Sequence, residues 1–188
     1  MMQIEPLAIP DVKIITPRVF RDERGFFCET FNDATLRAAG LDEVFVQDNH
    51  AMSRDAGVIR GLHLQIAPSA QGKLVRVTKG SIFDVAVDVR SGSPTFAEHV
   101  ARRITAESFE QIWVPVGFAH GYCTLEPDTE VIYKVTNHYD SERERGIQFD
   151  DPALAIDWPF LRENGRLSDK DLHSKPLSEH PLYFNIGG

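Results

Sequence analysis

The sequence predicts an all-β protein, a sandwich or barrel built as one domain. Three observations point there. Short runs rich in β-branched and aromatic residues recur from Val12 to Tyr139, broken at regular spacing by Gly and Pro. Ser81–Val89 (SIFDVAVDV) alternates cleanly, with Phe83, Val85, Val87 and Val89 on one face and Asp84 and Asp88 on the other. After Tyr139 the pattern gives way to short helical turns and prolines, as in DPALAIDWPF and LSDKDLHSKPLSEHPLYF. That stretch reads as a tail folded over the barrel. Residues 12–140 are therefore expected to form the barrel and 141–188 an extension packed on it, a length that suits a single domain.

The elements follow in order. Val12–Thr16 is a first strand. Asp22-Glu23-Arg24-Gly25 is a hairpin turn and Phe26–Phe31 the returning strand. Asn32 or Asp33 caps a short helix that Gly40 ends, with Leu36 and Ala39 on its buried side. Val44–His50, Val58–Gln65 and Leu74–Thr78 are strands, the second closed by a turn at Pro68 and the third by Gly80. Ser91–Pro94 is a turn, and Phe96–Ile104 and Glu110–Val114 are further strands. Pro115–His120 makes a corner into a strand over Gly121–Leu125. Glu126–Asp128 then turns the chain into Thr129–Asn137, where Val131, Tyr133 and Val135 share a face.

Composition removes several functions. A formal net charge of −8 argues against broad nucleic-acid binding, which wants a basic surface. It still permits a local cluster of Arg and Lys for one phosphorylated ligand. No apolar run approaches the ~20 residues that span a bilayer. The N-terminal MMQIEPLAIPDVKII carries Glu5 and Asp11 and does not read as a signal peptide, so the expected location is the cytoplasm, away from membranes. Cys28 and Cys123 form neither a disulfide framework nor, alone, a metal site.

The chemistry concentrates in Gly57–Gly80, GVIRGLHLQIAPSAQGKLVRVTKG. Strand alternation puts Ile59, Gly61, His63 and Gln65 on one face, and Lys73, Val75 and Val77 on one face of the next strand. A histidine and a lysine aimed into one apolar barrel make a pocket with a base and a fixed cation. Arg60 is three residues from His63, so a regular strand would separate them; a bulge at Gly61 would reunite them. The spacing around His63 and Gln65, with Pro115-x-Gly117-x-x-His120 further on, resembles the paired motifs of the cupin superfamily, a β-jelly-roll. Metal-binding cupins place His-x-His and a glutamate in the first motif. Here Gln65 stands at the second histidine and Lys73 near the acid. The pocket therefore reads as free of metal and of other cofactors.

RDERGFFCETF, FVQDNH, IRGLHLQ, QGKLVRV, FDVAVDVR, WVPVGFAHGY, IYKVTNHY, DDPALAIDWP and LSDKDL occur in this order. Together they resemble the dTDP-4-dehydrorhamnose 3,5-epimerase family. The resemblance implies a 4-keto-6-deoxyhexose joined to dTDP, whose carbons 3 and 5 flank a ketone. Inversion needs a base, an acid on the opposite face and a positive group at the enolate oxygen. His63 fits the base, since an unperturbed imidazole titrates at ~6.5. Tyr133 fits the acid, and Lys73 can hold the oxygen. By resemblance Asp171 orients His63, Arg60 and His120 contact sugar or phosphate, and Arg24, Glu29, Gln47, Asp48, Asn49, Glu144 and Lys170 hold the nucleotide. Tyr139 matches an aromatic that stacks on thymine. In this family a strand of one subunit completes its neighbour's site, which implies a homodimer.

Other readings stand beside these. Ser168-x-x-Asp171 also reads as a helix capping box. Inversion at one carbon, a 3,4-ketoisomerase, another nucleotide carrier, a non-catalytic sugar-nucleotide-binding cupin and a metal-dependent oxygenase are the rival functions.

Overall fold

The computed structural model describes residues 2–186. Its strands are β1 (Gln3–Pro6), β2 (Lys13–Thr16), β3 (Val19–Asp22), β4 (Gly25–Cys28), β5 (Gln47–Ser53), β6 (Ile59–Gln65), β7 (Lys73–Lys79), β8 (Ser81–Asp88), β9 (Arg90–Ser91), β10 (His99–Thr105), β11 (Gln111–Val114), β12 (Phe118–Thr124), β13 (Thr129–Val135), β14 (Glu144–Gly146) and β15 (Phe184–Asn185). Two short α-helices interrupt them, α1 (Asp33–Ala38) and α2 (Asp169–Leu172). Six strands form one antiparallel sheet in the order β1-β2-β11-β7-β13-β5, and five form the other in the order β10-β8-β12-β6-β14. The architecture is thus the all-β, cupin-like barrel that the motifs imply. No described helix is long and apolar enough to cross a membrane.

Three apolar clusters arrange the layers. Val75, Val77, Ile112, Val114 and Val131 of the larger sheet meet Ile82, Ala86, Phe118 and Tyr122 of the smaller one between the sheets. Outside the larger sheet, Ile15, Leu74 and Trp113 pack under Leu36 and Leu41. Outside the smaller sheet, Val85, Val87, Ala119 and Cys123 pack under Ile147, Phe149, Leu154 and Trp158 of the tail. The valine face of β8 is therefore covered by the tail, and Asp84 and Asp88 lie on the inner face, fully buried. With ~25 cal/mol gained per Å² of apolar surface removed from water, each layer stabilises the sheet it covers.

Local chemistry explains most elements. Asn32 caps α1 by accepting from the Thr35 backbone N–H at 3.1 Å. Leu36 is buried beneath it, but Ala39 is the exposed C-cap, and Leu41 fills the place expected of it. Some strand limits differ from the expected ones. The strand expected over Val44–His50 runs from Gln47 to Ser53, and the one expected from Gly121 begins at Phe118. The pairings β5–β13 and β12–β8 set those limits, and residue preference alone does not encode such pairings.

One irregularity positions the site. Between the pairs His63–His120 and Arg60–Tyr122, β6 carries one residue more than β12. The extra residue is a bulge at Gly61, whose φ is +126°. A Cβ there would fall 2.5 Å from Gly121 Cα and 2.7 Å from the His120 carbonyl oxygen, so only glycine fits. The bulge reverses the alternation. Ile59 joins Leu62 and Leu64 in the outer cluster, not the face of His63 that a regular strand would give it. Arg60 and His63 both reach the interior.

Candidate active site

A cavity of about 460 Å³ opens between the sheets, lined by Arg60, His63, Lys73, His120, Tyr122, Tyr133, Ser168 and Asp171 among others. A second lobe of about 270 Å³ shares His63, Lys73 and Tyr133 with it and adds Gln47, Asn49, Gln65, Tyr139 and Glu144. Residues from both sheets and from the tail thus meet at one place.

The tail supplies a carboxylate. Asp171 Oδ1 lies 2.5 Å from His63 Nε2, and its other oxygen accepts from the Ser168 hydroxyl at 2.8 Å. Ser168 also caps α2 by accepting from the Asp171 backbone N–H, so the capping reading and the dyad reading describe the same two residues. Burial alone would raise the Asp171 carboxyl; the His63 bond and charge, the Ser168 bond and Lys170 overcome it and hold the group below the usual carboxylate range. With Nε2 committed to Asp171, Nδ1 is the His63 ring nitrogen left without a partner among the described residues.

Lys73 projects from β7 beside this pair, its ammonium donating to the His63 carbonyl at 3.2 Å. Desolvation pulls it down to about 8, opposed by the Glu144 and Asp84 charges. Burial pushes the Tyr133 phenol up, against the Arg60 charge, so it stays protonated at neutral pH. His120 Nε2 sits 2.9 Å and 3.0 Å from the two oxygens of buried Asp84. Arg60 donates from Nε to the Ser53 hydroxyl at 3.4 Å.

The second lobe is a chain of polar contacts. The Tyr139 hydroxyl donates to Glu144 at 2.8 Å, its backbone N–H donates to the Gln47 side chain at 3.0 Å, and Gln47 donates to Asn49 at 2.9 Å. Lys170 pairs with Glu144. Burial acts to raise Glu144, but the Lys170 and Tyr139 bonds and the His63 charge hold it low. Gln65, at the second histidine position of a metal-binding cupin, ties two loops together. It donates to the Ser69 carbonyl at 2.6 Å and the His138 carbonyl at 3.1 Å, and accepts from the Asp140 N–H at 2.8 Å. Those loops carry Tyr139.

Three expected residues lie elsewhere in their own chain. The Asp48 side chain points to the outer face of β5, paired with Lys134 at 3.1 Å, because its neighbours Gln47 and Asn49 take the inner face. Glu29 lines a groove on that same outer face. Arg24 is at the tip of the β3–β4 hairpin, 85% exposed and bound to Asp22. Sequence reading assigned no site role to Asp84, Tyr122 or Ser168, which line or support this cavity. Starting β12 at Phe118 instead of Gly121 would have put His120 and Tyr122 on one face, and Asp84 already stood on the non-valine face of β8.

The family model for dTDP-4-dehydrorhamnose 3,5-epimerase matches residues 6–179. A protein of that name from Pseudomonas aeruginosa is 50% identical over 179 residues, covering 95% of this chain and 97% of its own. A solved 3,5-epimerase from Legionella pneumophila, in complex with dTDP-4-keto-L-rhamnose, superposes with a TM-score of 0.94 at 43% identity and 100% coverage of both chains. A 3′-monoepimerase from Streptomyces bikiniensis, in complex with dTDP-quinovose, gives 0.86 at 32% identity, covering 93% of this chain and 87% of that one.

Proposed function

We infer the reaction from one premise: the chain belongs to the dTDP-4-dehydrorhamnose 3,5-epimerase family, and is an isomerase. We propose that it inverts carbons 3 and 5 of dTDP-4-dehydro-6-deoxy-D-glucose to give dTDP-4-dehydro-L-rhamnose. The observation that carries this is the His63–Asp171 pair, with Nδ1 left free, in one cavity with Tyr133 and Lys73. His63 takes the proton from a carbon beside the ketone, and the C–H electron pair passes into an enolate. Lys73 steadies the negative oxygen. Tyr133 returns a proton from the opposite face. Gln47, Asn49, Tyr139, Glu144 and Lys170 hold the nucleotide in the second lobe. Arg60 and His120 contact the sugar or phosphate.

Metal independence is part of the reading. It is supported by the use to which the donors are put. His63 and His120 each bind a carboxylate, Gln65 ties loops, and an ammonium group stands beside them. Among the described residues no three His, Cys, Asp or Glu side chains are placed to hold an ion. We place the reaction in the cytoplasm, in keeping with two unpaired cysteines.

The test is wash-in of solvent deuterium into dTDP-4-keto-6-deoxyglucose, run in excess chelator. Label at carbons 3 and 5 is expected. Label at neither, or loss of label with chelator, would falsify the reading. Label at one carbon alone would favour the rival that the Streptomyces bikiniensis structure represents, a single inversion.

We further propose a homodimer in which the β3–β4 hairpin of each chain reaches its partner's site. Among the described residues the hairpin pairs with no other strand, and Phe20, Phe26 and Phe27 on it are 49%, 60% and 69% exposed. Arg24 and Glu29, nucleotide contacts by resemblance, lie outside their own chain's cavity, as an exchanged arm requires. Light scattering should give the mass of two chains. A Phe26→Asp/Phe27→Asp variant should run as one chain and bind dTDP at least ~10-fold more weakly, a loss of ~1.4 kcal/mol. A monomeric unaltered protein with full activity refutes the arrangement.

A further inference from the structure

Gln71 lines the second lobe and has no part in the chemistry above. It is half-buried and lies just before β7. Its Nε2 donates to the Asn137 carbonyl at 2.7 Å. A backbone carbonyl only accepts, so the amide end set against it is the NH2 group. The other end is the oxygen Oε1, which has no partner among the described residues. No buried side-chain polar atom of those residues lacks a partner, so this oxygen is one that open space reaches. The open space that Gln71 lines is the second lobe.

Backbone partners fix the other amides of the lobe in the same way. Gln47 accepts from the Tyr139 N–H and donates to Asn49, so both of its ends are used. Gln65 is likewise used at both ends. Asn49 accepts through Oδ1, which leaves its NH2 group to donate. The charged groups are engaged too, Glu144 by Tyr139 and Lys170, and Lys73 by the His63 carbonyl. The side-chain amides therefore offer the lobe one donor, Asn49, and one acceptor, Gln71. These stand at different ends. Asn49 is the strand partner of Tyr133. Gln71 is tied to Asn137, on the same short segment as Tyr139. A phosphate oxygen suits the donor and is repelled by the acceptor. An acceptor beside an aromatic ring suits the N–H edge of a base stacked on that ring.

We propose, resting on the nucleotide reading of the second lobe, that Gln71 is a specificity-determining residue for the carrier base. Its Oε1 accepts the N3–H of thymine, an imide that uracil shares, while the base stacks on Tyr139. The stack and the diphosphate hold the ring in place, so cytosine sets its N3 lone pair against Oε1. Two acceptors then face each other with no proton between them. A site built around an N–H rejects a ligand that lacks it.

The experiment compares dTDP with 5-methyl-2′-deoxycytidine diphosphate by calorimetry. The two share the sugar, the diphosphate and the ring methyl, and differ only at positions 3 and 4 of the base. The unaltered protein should bind dTDP at least ~10-fold more tightly. Gln71→Met keeps the length of the side chain and removes the amide. It should weaken dTDP and bring the two affinities within ~3-fold of each other. Equal affinities in the unaltered protein overturn the proposal, and that outcome needs no variant to fold. A Gln71→Met protein that weakens both ligands alike and keeps their ratio also overturns it, since Gln71 would then only brace Asn137. If dTDP itself does not bind, the nucleotide reading of the lobe falls and this goes with it. Deuterium exchange tests the reaction separately, so a protein that exchanges label but does not distinguish the bases loses only the role of Gln71.

Discussion

His63→Ala is expected to lower deuterium exchange at both carbons by ~10³–10⁴-fold, the range of a positioned general base. The geometry behind this is the 2.5 Å contact between Nε2 and Asp171. It commits one ring nitrogen to the carboxylate and leaves the other to act as the base. A second variant checks that logic. Asp171→Asn can still accept the Nε2–H bond but no longer stabilises the imidazolium that forms, so it should lose less, ~10²-fold. Neither side chain belongs to an apolar cluster, so His63→Ala should leave the melting temperature within a few degrees. Exchange at more than a tenth of the normal rate in His63→Ala would remove His63 from the base position. A collapse in stability would show that the residue serves the fold instead.

Lys73→Met should cost ~10²–10³-fold in kcat/KM, as loss of an oxyanion donor does. Methionine matches the length of the stem, so the side-chain volume in the cavity is kept. The pH profile carries the sharper signature. Desolvation lowers the Lys73 ammonium to about 8, so the group is cationic below that pH and neutral above it. Its stabilising charge is therefore present at neutral pH and lost as pH rises through 8. An alkaline limb in kcat/KM with a midpoint near 8 is expected, and kcat/KM reports the free enzyme. Lys73→Arg should move that limb upward, because a guanidinium does not deprotonate in this range. A limb near 8 that persists unchanged in Lys73→Met would assign it to another group.

The pattern of apolar residues was enough to predict β7 and β13 with their correct inner faces, because both strands are regular. Lys73 with Val75 and Val77, and Tyr133 with Val131, point where period-two alternation puts them. The same rule misassigned Ile59, because an extra residue at Gly61 reverses the faces of β6. The glycine signalled that such a bulge was allowed; only the pairing with β12 shows that it occurs. Asp48 lies outside its own chain's cavity for the opposite reason. Its strand is regular, so a residue between two inward neighbours has to point out. Resemblance named it as a nucleotide contact without regard to its face.

The sequence by itself determined the class of fold, the pairing of a histidine and a lysine in one strand-built pocket, and the family. These depend on local pattern and on motifs whose order survives in the chain. Tertiary structure decided which polar groups meet. Asp171 lies 108 residues from His63, and Asp84 lies 36 residues from His120. Such contacts depend on strand register and on where the tail lies over the smaller sheet, and no local preference encodes either.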